Sequence, residues 1–228
     1  MIPWETLDIA NIQGGTETLR LKRRGTEFSI MLGTNELMNS RLSGSEAGLA
    51  RLTIERLAAS APRILIGGLG MGFTLRAALP LLPQAARITV AELVPAVVAW
   101  ARGPLAALHA DGLSDPRVTI VENDVGAIIG ERRTAWDAIL LDVDNGPEGL
   151  CREGNDSLYN AHGLGAAFAA LAPGGVLSVW SSGPSAAFTR RLRQAGFAVE
   201  EVGVRAGTTR RGARHVIWLA TRPSTSKA

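Results

Sequence analysis

The chain has 228 residues, of which 46% are hydrophobic and 20% are charged, and 24 lysines and arginines against 21 acidic residues give a formal net charge of +3. This length and composition suit one α/β domain with a small appendage and exclude a disordered chain, while so mild a positive charge gives no reason to expect nucleic acid as a partner. A single cysteine excludes an intramolecular disulfide, and no apolar run approaches the roughly 20 residues of a membrane helix, so we expect a cytoplasmic protein without a membrane partner.

Residues 1–42 are predicted to form a short β extension. Thr18–Arg24 and Glu27–Leu32 carry alternating or β-branched and apolar residues, and an Arg-Gly pair between them suits a tight turn. The extension is therefore predicted to contain a β-hairpin.

Residues 43–222 have the pattern of an α/β domain, and a loose polar tail is expected at 223–228. Ser43 and Glu46 have the spacing of a capping box, which predicts a helix over about Gly44–Ser60. After it, short apolar runs alternate with helical stretches, which predicts a mostly parallel seven-stranded sheet in a Rossmann-like fold. The predicted strands are Arg63–Ile66, Arg87–Ala91, Val118–Val121, Ala138–Asp142, Val176–Trp180, Val199–Arg205 and His215–Ala220, and the predicted helices between them are Phe73–Leu79, Pro95–Leu108, Val125–Arg132, Asn160–Ala170 and Ala186–Ala195.

A glycine-rich loop follows the first strand of the predicted sheet. Gly68, Gly70 and Gly72 alternate with larger residues just before a predicted helix. Glycines allow a sharp turn and a close approach of the backbone to a ligand, and the start of a helix offers free N–H groups. Such turns also occur for packing reasons, so the loop alone leaves both interpretations open.

Acidic side chains follow the next three strands. The acids are Glu92 after the second strand, Asp124 after the third, and Asp142 and Asp144 after the fourth. The apolar residues Leu93 and Val125, which directly follow Glu92 and Asp124, are also expected to contact the ligand. An acid about twenty residues after a glycine loop binds ribose hydroxyls in nucleoside-binding α/β folds. Each acid alone also suits a helix N-cap or an Asx-turn, and Asp124 fits both interpretations equally. Their recurrence at one edge of the sheet favours a nucleoside site.

These motifs resemble the spermidine synthase-like branch of the class I S-adenosylmethionine-dependent methyltransferase superfamily. The resemblance covers residues 38–220 and is carried by Ile64–Phe73, Ala91–Leu93, Asp124, Trp136–Gly149, Leu158, Tyr159 and Leu171–Leu177. It implies a class I methyltransferase fold, with the glycine loop at the tail of the bound nucleoside, Glu92 at the ribose and Asp124 at the adenine.

The same resemblance implies that Asp142 orients and deprotonates an attacking amine. Asp144 would position the substrate, and Tyr159, which is the chain's single tyrosine, completes the set of catalytic candidates. A homodimer is also expected.

The departures from the family concern the amine site. Met71 stands where these enzymes usually have an aspartate in the loop, Ser45-Glu46-Ala47 replaces a Tyr-His-Glu cluster, and the segment after the fourth strand is shorter. Diamine recognition needs paired carboxylates and aromatic walls. We therefore favour methyl transfer from S-adenosylmethionine to a small-molecule acceptor over aminopropyl transfer from decarboxylated S-adenosylmethionine, with a non-catalytic nucleoside-binding module as a third alternative.

Few other residues indicate chemistry. The three histidines lack metal-ligand spacing, so no metal site is expected. The basic tract from Arg205 to Arg214 suits a solvated hairpin tip better than an anion site. Among the tryptophans, Trp180 stands at the end of a predicted strand and is the one we single out for a functional test.

Overall fold

The structure of the chain is a computed structural model that describes residues 2–12, 18–143, 146–147, 156–207 and 212–224. Asp144, one of the predicted catalytic residues, lies outside the described residues. The strands are β1 Glu5–Asn11, β2 Thr18–Arg24, β3 Glu27–Leu32, β4 Asn35–Asn39, β5 Arg63–Gly67, β6 Arg87–Glu92, β7 Val118–Glu122, β8 Trp136–Leu141, β9 Leu171–Ser181, β10 Ala198–Arg205 and β11 Arg214–Thr221. The α-helices are α1 Gly44–Ile54, α2 Phe73–Ala78, α3 Pro95–Arg102, α4 Ala106–His109, α5 Val125–Gly130, α6 Asp156–Tyr159, α7 Ala161–Ala170 and α8 Ala186–Gln194.

The larger sheet has seven strands in the order β10-β11-β9-β8-β5-β6-β7. Strands β5 to β9 run parallel to one another, and β11 lies antiparallel between β9 and β10. The predicted mostly parallel, Rossmann-like sheet is confirmed. Because β5, β6, β7 and β8 are neighbours and parallel, their carboxyl ends lie along one edge, and the loops that follow them meet there.

The smaller sheet is the N-terminal extension, an antiparallel meander in the order β1-β2-β3-β4. The predicted hairpin is confirmed as β2 and β3, which pair from Leu19 with Leu32 to Arg24 with Glu27. The outer strands were not predicted. β1 is mostly exposed, and β4 has the sequence NELMN without a β-branched residue, so neither shows the alternation expected of a half-buried strand.

One hydrophobic cluster joins the extension to the larger sheet. Leu21 and Ile30 of the extension are at most 1% exposed and belong to the same cluster as Leu49 of α1, Ile64 of β5 and Ile88 of β6. Burying a side chain of this size contributes about 1.5–3 kcal/mol. The extension is therefore packed against the larger sheet through a shared hydrophobic core.

Two predicted helices have different bounds in the structure. Helix α1 ends at Ile54 rather than at Ser60, and the helix predicted over Pro95–Leu108 is split into α3 and α4. The split falls at Gly103 and Pro104, where glycine disfavours the helix and proline lacks the N–H that a helix interior needs.

The predicted capping box at the start of α1 is wrong. The Ser43 side chain makes no capping hydrogen bond, and the Glu46 carboxylate instead accepts a hydrogen bond from the hydroxyl of Ser45 at 2.7 Å. Glu46 lines a cavity. No helix among the described residues combines the length and the apolar character that crossing a bilayer requires.

Candidate active site

Two adjoining cavities lie between the extension and the carboxyl edge of the larger sheet. The first has a volume of about 140 Å³. Most of the predicted nucleoside-binding residues line it, namely Gly68, Gly70, Glu92, Leu93, Asp124, Val125 and Asp142. Leu19, Ile30 and Leu32 of the extension also line it. The structure thus brings together, in one cavity, residues that follow four different strands.

The glycine loop is tightly packed against the end of β8. Gly68 has φ +88°, and a Cβ atom there would lie 2.5 Å from the carbonyl oxygen of Asp142. Its N–H donates to the carbonyl of Ala91 at 2.8 Å. Gly72 also has a positive φ, and a Cβ atom there would overlap the ring of His109. Glycine is required at both positions because a larger residue would be strained and would collide with its neighbours.

Glu92 ties this loop to the end of β6. Its carboxylate accepts hydrogen bonds from the backbone N–H groups of Leu69 and Val94, both at 2.9 Å, and the residue is only 7% exposed. Each carboxylate oxygen has a second lone pair, so a side chain held in this way can still accept hydroxyl protons from the cavity. The link to the loop was not predicted from the sequence, which does not show which backbone group a strand-end acid will meet.

Asp124 caps a helix and also lines the first cavity. Its Oδ1 atom accepts a hydrogen bond from the N–H of Ala127 at 3.0 Å, which makes Asp124 the N-cap of α5. The same residue lines the first cavity, next to Val125. A helix cap holds the carboxylate in a fixed orientation at the mouth of the cavity.

The second cavity has a volume of about 110 Å³ and adjoins the first. Glu46, Asp142 and Trp180 supply its acidic and aromatic groups, and Gly72 forms part of its wall. Asp142 lines both cavities and so marks their junction. None of the described residues that line the second cavity is basic.

The pKa of Asp142 is strongly perturbed. Burial of its carboxyl group raises the pKa from 3.8 to about 7, the nearby Glu46 carboxylate adds to the rise, and a hydrogen bond from Thr74 at 2.6 Å opposes it. Burial also raises the pKa of Glu46, although the hydrogen bond from Ser45 acts to lower it. Two acids that each disfavour ionisation in one cavity are a common feature of functional sites.

Tyr159 is not brought to either cavity wall. Its side chain is 2% exposed, its ring packs edge-on against Phe188 at 5.6 Å, and its hydroxyl donates to the carbonyl of Val143 at 3.4 Å. That carbonyl belongs to the residue after Asp142, so Tyr159 supports the segment that carries the acid. A contact between Tyr159 and a substrate stays a prediction.

Sequence reasoning missed Glu46 as a cavity residue. An acidic residue in the first turn of a helix is the ordinary response to the helix dipole, so the local sequence carries no signal of a site. Met38, at the end of the extension, was missed as well. It lines both cavities, and its sulfur would lie 2.9 Å from a Cβ atom at Gly70. Only the packing of the extension on the sheet brings these residues to the cavities.

Neither a protein-family model nor a curated protein sequence matches this chain. Solved structures do match, and three of them cover 95% of it. A spermidine synthase from Thermotoga maritima has a TM-score of 0.76 at 18% identity, with 72% of its own chain covered. A spermidine synthase in complex with the transition state analogue AdoDATO has a TM-score of 0.73 at 18% identity, also with 72% covered. A probable spermidine synthase from Corynebacterium glutamicum has a TM-score of 0.64 at 16% identity, with 79% covered.

The chain has the spermidine synthase fold. The resemblance inferred from the glycine loop and the strand-end acids is confirmed at the level of the fold, including the β extension before the Rossmann-like domain. The preference for methyl transfer finds no support in these matches. Among the described residues, no group of three or more histidine, cysteine, aspartate or glutamate side chains is placed to hold a metal ion.

Proposed function

We propose that this chain transfers an aminopropyl group from decarboxylated S-adenosylmethionine to a small cationic amine. The observation that carries the proposal is the pairing of Glu46 and Asp142 in the second cavity, beside the ring of Trp180. Two carboxylates with no basic residue along the described wall repel each other in a low dielectric. An ammonium group between them relieves that repulsion, whereas a neutral acceptor of a methyl group would leave it in place.

The first cavity suits the nucleoside part of the donor. Glu92 and Asp124 offer carboxylate oxygens to hydroxyl and amino groups, and Leu93 and Val125 offer apolar surface to a base. The spermidine synthase solved with the transition state analogue AdoDATO supports a donor of the decarboxylated type. Since Met71 replaces the loop aspartate and its side chain is buried, Asp142, which lines both cavities, is the acid available to the ammonium group of the donor. Glu46, which lines the second cavity, is the acid available to the acceptor.

In the proposed reaction the amine nitrogen forms a bond to the donor carbon next to sulfur, and the bond between that carbon and sulfur breaks to leave neutral methylthioadenosine. The donor supplies the sulfonium carbon as the electrophile. The amine must first lose a proton, because an alkylammonium with a pKa of about 10 has no lone pair with which to attack. Asp142 receives this proton. Its pKa of about 7 makes it a better base than an ordinary aspartate, whose pKa is 3.8.

The neighbours of Asp142 have separate tasks. Thr74 donates to its Oδ2 atom and thereby fixes the carboxylate, so we expect the proton on Oδ1. Glu46 attracts the acceptor as an anion, and the face of Trp180 adds a cation-π contact of about 0.5–2 kcal/mol. The extension covers the cavities through Leu37 and Met38 and keeps water from the sulfonium carbon.

The direct test incubates the purified protein with decarboxylated S-adenosylmethionine and putrescine and detects methylthioadenosine and spermidine by mass spectrometry. S-adenosylmethionine with putrescine is the control donor. We expect both products with the decarboxylated donor and neither with S-adenosylmethionine. A methylated amine from the control donor would reverse the proposal. Nucleoside binding without turnover of putrescine, cadaverine or spermidine would favour the non-catalytic module.

The acceptor role of Glu46 has a matched control in Glu55, which follows the last residue of α1. Glu46→Gln should raise the KM for putrescine at least about tenfold, because a charge-assisted contact is lost. Glu55→Gln should leave that KM unchanged, since Glu55 is exposed and pairs with Arg51 on the protein surface. Equal effects of the two substitutions would show that Glu46 does not contact the acceptor.

A further inference from the structure

Glu46 is held by a neighbour that the proposed mechanism does not use. The hydroxyl of Ser45 donates to Oε2 of Glu46 at 2.7 Å. Oγ of Ser45 also lies 3.1 Å from Nδ1 of His215. A serine hydroxyl has a single proton. When that proton is given to an ionised Glu46, Ser45 can only accept at His215, so the Nδ1 atom of His215 must carry a hydrogen. The three groups then form one chain of hydrogen bonds that ends at the carboxylate.

The chain of hydrogen bonds links parts of the protein that are far apart in sequence. Ser45 is 1% exposed in the first turn of α1, and His215 lies near the start of β11. The backbone also joins the start of α1 to the residue that follows β10, because the N–H of Gly44 donates to the carbonyl of Ala206 at 2.8 Å. A side chain at Gly44 would overlap the backbone of Gly207. The start of α1 is therefore fixed directly against the hairpin formed by β10 and β11.

His215 also contacts the aromatic wall of the second cavity. Its ring lies edge-on to that of Trp180, with 4.7 Å between the ring centroids and an interplanar angle of 77°. Neither His215 nor Ser45 lines the cavity, whereas Glu46 and Trp180 both do. Any effect of His215 on a bound acceptor must pass through these two side chains.

We propose that Ser45 and His215 are a positioning pair that keeps Glu46 ionised and directed into the second cavity, and so sets the affinity for the cationic acceptor. This inference rests on the proposed function. The hydrogen bond from Ser45 favours the charged form of Glu46 and offsets part of the burial that opposes it. His215 orients the Ser45 hydroxyl for that bond, and its contact with Trp180 fixes the ring that faces the same ammonium group.

The kinetic test compares Ser45→Ala, His215→Phe and His215→Asn, with decarboxylated S-adenosylmethionine and putrescine as substrates. The first two substitutions should raise the KM for putrescine about tenfold or more, because each removes a member of a charge-assisted hydrogen-bond chain. The KM for the donor and kcat should stay within about twofold of the parent values. His215→Asn should keep nearly the parent KM, since the asparagine amide can place an N–H where Nδ1–H stood.

A purely structural role would give a different pattern. In that case His215→Phe and His215→Asn would lower the melting temperature alike and change both KM values together. An unchanged KM for putrescine in Ser45→Ala would overturn the inference outright.

A second measurement is independent of turnover. The carboxyl carbon of Glu46, identified by its loss in Glu46→Gln, is titrated by ¹³C NMR in the parent and in Ser45→Ala. The pKa of Glu46 should be higher in Ser45→Ala, since the bond that favours ionisation is gone. An unchanged pKa would refute the pairing even in an active enzyme. If the parent turns over no amine, the proposed function fails, and this titration alone decides whether the pairing holds.

Discussion

Asp142→Asn should make the protein more resistant to unfolding at neutral and alkaline pH. In the parent, burial of the Asp142 carboxyl group and the charge of Glu46 raise its pKa from 3.8 to about 7. The folded state therefore favours the protonated acid and is penalised when the acid ionises. Asparagine has nearly the same shape, carries no charge, and can still accept the hydrogen bond from Thr74 through its side-chain oxygen.

The sign and size of the effect follow from proton linkage. A raised pKa in the folded state gives stability that is fully present below pH 3.8 and is lost as the pH rises through about 7. Between pH 5 and pH 8 the parent should lose about 3 kcal/mol of unfolding free energy through Asp142, at 1.36 kcal/mol for each pH unit below its pKa. The asparagine variant lacks this loss. The difference between variant and parent should therefore grow by about 3 kcal/mol over that interval.

The assay is urea unfolding at pH 5 and pH 8 for the parent, Asp142→Asn and a control, Asp137→Asn. Asp137 lies near the start of β8, and Asp142 follows the last residue of that strand. Burial opposes its ionisation, but hydrogen bonds from Arg63 outweigh this and lower its pKa. The control should be less stable than the parent at both pH values and should gain nothing at pH 8. If the free energies of unfolding of Asp142→Asn and the parent differ by the same amount at pH 5 and pH 8, the pKa of Asp142 is not raised and the reasoning is refuted.

Three further predictions concern the loop, its anchor and the pH dependence of turnover. Gly68→Ala should lower the free energy of unfolding by about 1–3 kcal/mol in thermal denaturation, because the residue has a positive φ and the new Cβ atom would lie 2.5 Å from a carbonyl oxygen. As the control, Gly130→Ala should be neutral or stabilising, since a Cβ atom there meets no atom within 4 Å. Glu92→Gln should weaken methylthioadenosine binding about ten- to hundredfold in calorimetry, since either orientation of the amide turns an NH₂ group toward a backbone N–H; an unchanged affinity would remove Glu92 from the site. The value of kcat/KM for the amine should rise with pH through about 7, as Asp142 of the free enzyme ionises. Glu46→Gln should shift this rise to lower pH, because the Glu46 charge helps to raise the pKa of Asp142. A rise at the same pH in Glu46→Gln would argue against coupling of the two acids.

Much of the fold could be predicted because its signals are local. An apolar run such as Arg63–Ile66, followed by alternating glycines and a helical stretch, reports a buried strand, a tight turn and a helix within about a dozen residues. A series of such units predicts a parallel sheet, and a parallel sheet places Glu92, Asp124 and Asp142 along one edge. For the same reason strands β1 and β4 were missed, since their mostly exposed or polar segments carry no alternation.

The sequence by itself determined the Rossmann-like sheet, the glycine turn and the edge at which the strand-end acids converge. It did not determine which groups meet there. Whether Glu46 caps its own helix or faces Asp142 depends on where α1 rests against the β10–β11 hairpin, and the contact between Ser45 and His215 spans 170 positions in the chain. Periodicity and turn chemistry act over a few residues, whereas these contacts arise from side chains packing across layers. Only the tertiary structure could therefore place two carboxylates and an indole ring in one cavity.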